Sequence, residues 1–347
     1  MENILIPFGV AVAISLLATP MVRKLAFKVK AIDIPKDDRR VHKKPMPLLG
    51  GLAIYVAFVL SSFIFLPMGD TLLSIIVGGT LILISGIIDD IKGLSPKGKL
   101  IFQIGAALVL IFGDVKIEVL TNPFSSTNEV ISLNGLSIPL TIFWIVGVTN
   151  TLNLIDGLDG LAAGVSSIAS LSFMLVASKF NYTSIAIISA IVAGSTLGFL
   201  PYNFHPAKIF MGDTGALLLG FLLAAISIEG VMKSVATIAV IVPIIILGLP
   251  IFDTTFAIFR RFLNGKSIAE ADKGHLHHRL LERGFSQIKT VLILYGISFA
   301  FSFIAILISE ANSKRAVMIS IIMFLITIVL ALKMGLISGK GDDKCEN

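Results

Sequence analysis

Eleven stretches of this sequence run for about the length of a membrane span with almost no charge: residues 4–22, 48–66, 71–88, 100–113, 135–152, 161–178, 182–200, 215–232, 234–259, 290–309 and 316–334. A hydrocarbon layer about 30 Å thick takes about 20 apolar residues per helix, and inside it every backbone N–H and C=O must find a partner within the protein. Runs of this length predict helices. The expected fold is therefore an all-α integral membrane protein of about eleven transmembrane helices, forming a single domain over residues 1–347. Composition agrees, because 55% of the residues are hydrophobic and 14% charged, where a soluble domain has roughly a quarter charged. A mean hydropathy of +0.94 also excludes a disordered chain. The ninth run is long and holds Pro243 and Pro250, each lacking a backbone donor, so that helix is expected to be kinked. No basic residue precedes the first run, the wrong flank for a cleavable signal peptide, and it is expected to stay as an anchor. Cys345 is the one cysteine, so neither an internal disulfide nor a cysteine metal cage is available.

Lys and Arg near span ends are retained on the cytoplasmic side. With the N-terminus outside and the C-terminus cytoplasmic, 23 of the 28 Lys and Arg fall in inner segments and five, Lys116, Lys179, Lys233, Lys314 and Arg315, in outer ones. The net charge of +6 is then mostly topogenic, and no nucleic-acid partner is implied. The outer segment 114–134 alternates around Lys116–Val119 and Val130–Leu133 with Asn122-Pro123 between them, the pattern of a small external β-hairpin.

Polar residues gather at the inner ends of the runs, with Asp253 the one ionisable residue at mid-membrane depth. An ion-coupled transporter would carry such groups near the midplane of two matched halves, so a site at the cytoplasmic surface is indicated instead. Asp89 and Asp90 are adjacent carboxylates, which repel unless one is protonated or a cation holds them; a solvated helix end is the alternative. Asn153, Asp156 and Asp159 lie three apart and, if helical, share one side. Oxygen ligands in that arrangement suit Mg²⁺, which keeps waters or substrate phosphates as its remaining ligands. Asp213 stands just before a run and suits either a helix N-cap or a metal ligand, while Phe210 offers a face for a nucleobase. His275, His277 and His278 lie within four residues beside Lys273 and Arg279, an anion grip rather than a zinc site. The stretch Asp38–Pro45 repeats the basic theme.

Together, Asp89-Asp90, Asn153 to Gly160, Phe210-Met211-Gly212-Asp213-Thr214-Gly215 and His275-Leu276-His277-His278-Arg279 resemble the signatures of the polyprenyl-phosphate N-acetylhexosamine-1-phosphate transferases, in order and over nearly the whole chain. The His-Leu-His-His-Arg form and the Ala271-Asp272-Lys273 lead-in are similar to the branch that uses UDP-GlcNAc. The branch that transfers phospho-MurNAc-pentapeptide, the alternative within the family, usually shows three consecutive histidines and then an acidic residue. A lipid-linked sugar flippase is the alternative from another class.

The resemblance implies transfer of GlcNAc-1-phosphate from UDP-GlcNAc to undecaprenyl phosphate at the cytoplasmic face of a bacterial inner membrane, releasing UMP and initiating a cell-surface glycopolymer. It implies Mg²⁺, with Mn²⁺ as a substitute, held by Asp213 and Asn153. Asp89 and Asp90 would sit beside the acceptor phosphate, for direct attack rather than through an aspartyl-phosphate. Lys99, His275, His277, His278 and Arg279 would contact pyrophosphate oxygens, and Asn203, Phe210, Leu158 and Asp159 would line the uridine pocket. Asp156 would belong to the same wall, serving metal or nucleotide. The prenyl tail would lie along the bent ninth helix, with Asp253 either turned toward that groove or buried against a partner. Pairing of two copies is left open.

Overall fold

A computed structural model describes residues 2–34, 45–121, 130–232, 240–265, 274–309, 311 and 313–334. The basic stretch Asp38–Lys44, the Ala271-Asp272-Lys273 lead-in, Lys233 and Cys345 lie outside the described residues. The chain is an all-α membrane protein. Each of the eleven apolar runs holds helix over most of its described residues: α1 (Glu2–Lys28), α2 (Gly50–Phe65), α3 (Asp70–Lys92), α4 (Pro96–Phe112), α5 (Ser137–Ile155), α6 (Leu161–Lys179), α7 (Thr183–Asn203), α8 (Gly212–Ser227), α9 (Ile241–Ile246) with α10 (Gly248–Leu263), α12 (Gln287–Ser309) and α13 (Ser313–Met334). Among the described residues eight helices are long and apolar enough to cross a membrane, whereas α2, α4 and α10 are shorter.

The ninth run is broken rather than kinked. Leu247 ends α9 and precedes α10, its N–H reaching the carbonyl of Pro243 at 2.9 Å. Pro250 sits in the first turn of α10, where a missing N–H costs nothing, so the two prolines bracket the break. The hairpin is present as β3 (Val119–Thr121) paired antiparallel with β4 (Val130–Ser132), Leu120 opposite Ile131. A second strand pair, β1 (Ile32–Asp33) with β2 (Met46–Pro47), was not foreseen, nor was the short helix α11 (Leu276–Glu282) that carries the histidines.

In lipid, helices gain little from hiding apolar surface from one another, and association rests on close packing through small residues. Here the centre is α8, in which every residue from Thr214 to Ser227 is buried. It packs against α2, α3, α5 and α6. A Cβ on Gly86 of α3 would overlap the backbone of Thr214, and one on Gly220 would overlap the backbone of Thr149 in α5. These contacts bring the C-terminal ends of α3 and α5 to the first turn of α8. The ends of α1, α7 and α10 and the starts of α2, α4, α6 and α12 meet at that same end of the bundle, while the β3–β4 hairpin lies at the other.

Candidate active site

A cavity of about 580 Å³ opens at the end of the bundle where these helices meet. Of the residues predicted from sequence, its wall holds Asp90, Asn153, Asp156, Leu158, Asp159, Asn203, Phe210, Asp213 and His278. Asp89, Lys99, His275, His277 and Arg279 are not among its lining residues. Asp33, Met46, His205, Met211 and Gln287 also line it. Met211 falls inside the Phe210–Gly215 signature without a role of its own; sequence reasoning missed the rest, because His205 carries no spacing signal and the others come from strand or helix ends remote in the chain.

One side of the cavity is acidic. Asp213 occupies the first turn of α8, one residue inside the helix, and does not cap it. Asp90 of α3 supplies the cap in its place: its carboxylate accepts the N–H groups of Asp213 (3.0 Å) and Thr214 (3.1 Å) and the hydroxyl of Thr214. Gly212 makes the geometry possible, since its φ of +69° turns the chain into α8 and a side chain there would strike Asp90. Asp89 accepts the N–H of Leu94 at 2.6 Å and pairs with Lys99 at 2.9 Å. The Lys99 ammonium also contacts Asp213, so it bridges the two carboxylates. Asn153 donates its side-chain amide to Asp213 at 3.1 Å.

One oxygen from each of Asp89, Asp90 and Asp213 lies within 4.8 Å of the others. Among the described residues these three carboxylates meet the one ammonium of Lys99, a formal charge of −2 when all three are ionised. Like charges about 5 Å apart repel by about 3 kcal/mol per pair at an effective dielectric of 20. Hard oxygen donors with an unbalanced double negative charge fit a small divalent cation such as Mg²⁺.

The helical stagger expected of Asn153, Asp156 and Asp159 does not form, because α5 ends at Ile155 and Asp156 already has a non-helical backbone. All three nonetheless face the one cavity, the turn 156–160 folding back over it. Burial, with the nearby carboxylates of Asp213, Asp90 and Asp159, pushes Asp156 up to about 8. Asp159 accepts His205 Nδ1 (2.8 Å) and the N–H of Ala207 (3.1 Å). Asn203 is buried, accepting the N–H of Gly160 and donating to the carbonyl of Ile209, each at 3.1 Å. It ties the acidic turn to the 205–211 loop. Tyr295 of α12 donates its hydroxyl to the carbonyl of Gly160 and pins the turn from the other side. Phe210 is held by its backbone, N–H to Pro47 at 2.9 Å and carbonyl to the N–H of Gly50 at 3.1 Å.

On the far wall the histidines form a stack. His275 pairs with Asp253 (2.9 Å), which answers the open question of where that buried acid points. His277 lies parallel to His275, with centroids 5.8 Å apart, and tilts against His278 at 4.2 Å. His277 is 2% exposed, and burial followed by the proximity of His278 pushes its pKa down to about 3, so it is neutral. Arg279 lies 3.8 Å from Glu282, and its buried Nε has no hydrogen-bond partner among the described residues.

Comparison with known proteins bears on this arrangement. The model of glycosyl transferase family 4 matches residues 72–231, which run from α3 into the π-helical turn Ile228–Met232 that follows α8. The chain is 44% identical to a probable undecaprenyl-phosphate N-acetylglucosaminyl 1-phosphate transferase of Bacillus subtilis, over 98% of this chain and 94% of the relative. The chain belongs to the polyprenyl-phosphate N-acetylhexosamine-1-phosphate transferase family. A decaprenyl-phosphate N-acetylglucosaminephosphotransferase of Mycobacterium tuberculosis is 36% identical over 82% of this chain and 77% of its own. A phospho-N-acetylmuramoyl-pentapeptide-transferase of Halalkalibacterium halodurans is 34% identical over 88% and 95%. As a polyprenyl-phosphate phosphosugar transferase, the protein is an enzyme, and the acidic first turn of α8 falls inside the matched region.

Proposed function

We propose that this transferase moves GlcNAc-1-phosphate from UDP-GlcNAc to undecaprenyl phosphate at the cytoplasmic face of a bacterial inner membrane. An acceptor phosphate oxygen attacks the phosphorus that bears the sugar, and the bond to UMP breaks. The observation that carries this reading is the convergence of Asp89, Asp90 and Asp213, from two different spans, beside a cavity large enough for a sugar nucleotide. The 44% identity to an N-acetylglucosaminyl 1-phosphate transferase favours GlcNAc over the pentapeptide-bearing sugar. The chain's excess of Lys and Arg in the segments at this end supports the cytoplasmic orientation.

Two anionic substrates must meet, so catalysis is charge neutralisation and alignment. Asp213, Asn153 and the neighbouring Asp89 and Asp90 would hold Mg²⁺ or Mn²⁺. When bound, it supplies positive charge to the pyrophosphate and orients it. Asp90 fixes the first turn of α8 and so the direction of Asp213. Asp89 and Lys99 form an ion pair beside Asp213, where Lys99 can exchange a carboxylate for an acceptor phosphate oxygen. His278 and Arg279 meet the pyrophosphate, the buried unpartnered Nε of Arg279 being a donor in need of an anion. Leu158, Phe210 and Asp159 receive the uridine, on a wall held in shape by Asn203. His275 and His277 support His278 from behind.

The prenyl tail has a seat in a second, apolar cavity of about 380 Å³ between α4 and α5, lined by Leu100, Ile104, Ile142, Phe143 and Val146. Leu100 is the next residue along α4 from Lys99, and α10 packs along the same α5. The deciding experiment supplies purified protein with undecaprenyl phosphate, Mg²⁺ and, separately, UDP-GlcNAc, UDP-GalNAc and UDP-MurNAc-pentapeptide, and measures UMP. Release with UDP-GlcNAc is expected; release with the pentapeptide alone would move the protein to the other branch.

A further inference from the structure

One face of α10 grips three consecutive residues of the histidine segment. Asp253 and Arg260 are seven residues apart, two helical turns, and both are buried, at 5% and 4% exposure. Asp253 holds His275 Nδ1 with one oxygen (2.9 Å) and the N–H of Leu276 with the other (2.8 Å). Arg260 donates to the carbonyl of Gly274 at 3.0 Å. His275 has the extended backbone of an N-cap, but its own side chain caps nothing. Asp253 takes that part from a different helix, so the start of α11 is set by α10. From there contacts run unbroken to the site: His275 stacks on His277, His277 packs on His278, and His278 lines the cavity. Neither Asp253 nor Arg260 lines the cavity, and a buried acid and a buried guanidinium each demand compensation, to which the histidine segment contributes these three contacts.

We propose that Asp253 and Arg260 are positioning residues for the transfer reaction, acting through His275 and α11 to fix His278 at the cavity wall. The proposal rests on the sugar-phosphate transfer assigned above. Asn in place of Asp253 keeps the shape but cannot accept from both His275 and Leu276, because one of its two terminal atoms is a donor.

The test is a double-mutant cycle on UMP release, with Asp253→Asn, His278→Ala and the pair. Asp253→Asn is expected to lower kcat by about 10- to 100-fold, the range for partners that orient a functional group, with KM for UDP-GlcNAc changed much less. The pair is expected to lose no more than His278→Ala alone. Losses that multiply, or a His278→Ala variant with normal turnover, would overturn the proposal. Arg260→Lys, which keeps the charge and a donor, serves if Asp253→Asn does not fold, with the same non-additivity expected.

A second readout needs no turnover. In a Cys345→Ser background carrying His278→Cys, maleimide labelling should quicken on the order of tenfold when Asp253→Asn is added, as the turn loosens. An unchanged labelling rate would refute the positioning role even if the reaction proved to be a different one. Failure of wild-type protein to release UMP with normal tightening at position 278 would refute only the substrate assignment.

Discussion

The carboxylate of Asp90, in the last turn of α3, accepts the backbone N–H of Asp213 at 3.0 Å, so the acid that closes one span caps the helix that opens another. Its neighbour Asp89 faces Lys99 instead. Adjacent carboxylates thus have separable duties, one architectural and one electrostatic, and the variants should behave differently.

Asp90→Asn removes an acceptor from a group that takes two N–H donors and a hydroxyl. Thermal unfolding in detergent should show a loss of about 1–3 kcal/mol, the cost of a buried donor left without a partner, together with a loss of turnover. Asp89→Asn should reduce UMP release by about 100-fold, as for the loss of one electrostatic contact to the reacting groups, while leaving the unfolding midpoint nearly unchanged. Equal destabilisation by both would contradict this division.

Asp213→Asn should abolish UMP release and remove the stabilisation that Mg²⁺ confers on the wild type. Chelation should stop wild-type turnover, with recovery on adding Mg²⁺ or Mn²⁺. Near-normal turnover by the Asp213 variant would end the metal assignment.

A methyl group at position 157 would collide with the imidazole of His277. Overpacking of this kind costs about 1–3 kcal/mol, so Gly157→Ala should lower the unfolding midpoint and slow transfer. Adding His277→Ala should restore part of the midpoint, because it vacates the space. No recovery in the double variant would place the strain elsewhere.

Asp156 should make the metal-free protein less stable as pH rises. An acid with a folded pKa of about 8 and an unfolded value near 3.9 holds its proton more tightly when folded. Between about pH 4 and pH 8 the folded state therefore binds more protons than the unfolded one, and stability falls across that window and levels above it. Asp156→Asn, a neutral mimic, should match the wild type near pH 4 and unfold at increasingly higher temperature than it up to pH 8, measured with chelator present. A difference that shrinks with rising pH would reverse the assignment.

Several site features are legible in the sequence. Asp89-Asp90, the Asn153 to Gly160 stretch, the turn around Asp213 and the His275 segment all announce themselves as polar clusters at the ends of apolar runs, where a membrane protein has no topogenic need for carboxylates. Other features were not legible. The stagger assumed for Asn153, Asp156 and Asp159 extended a helix past Ile155, where Asp and Gly favour a turn. His205 meets Asp159 across 46 residues, and no period or spacing encodes that contact.

What the sequence determined by itself was the class of fold and the inventory of chemistry. A bilayer imposes length and apolarity on each helix separately, so those requirements are written locally and can be counted along the chain. Only the tertiary structure decided which acid caps a helix and which pairs with Lys99. Asp90 and Asp89 are consecutive, yet one points to α8 and the other to α4, because helical neighbours lie about 100° apart around the axis and different helices stand on the two sides. The same holds for Asp253, whose partner His275 is set by how α10 packs against the turn before α11, a relation that exists only once the helices are assembled.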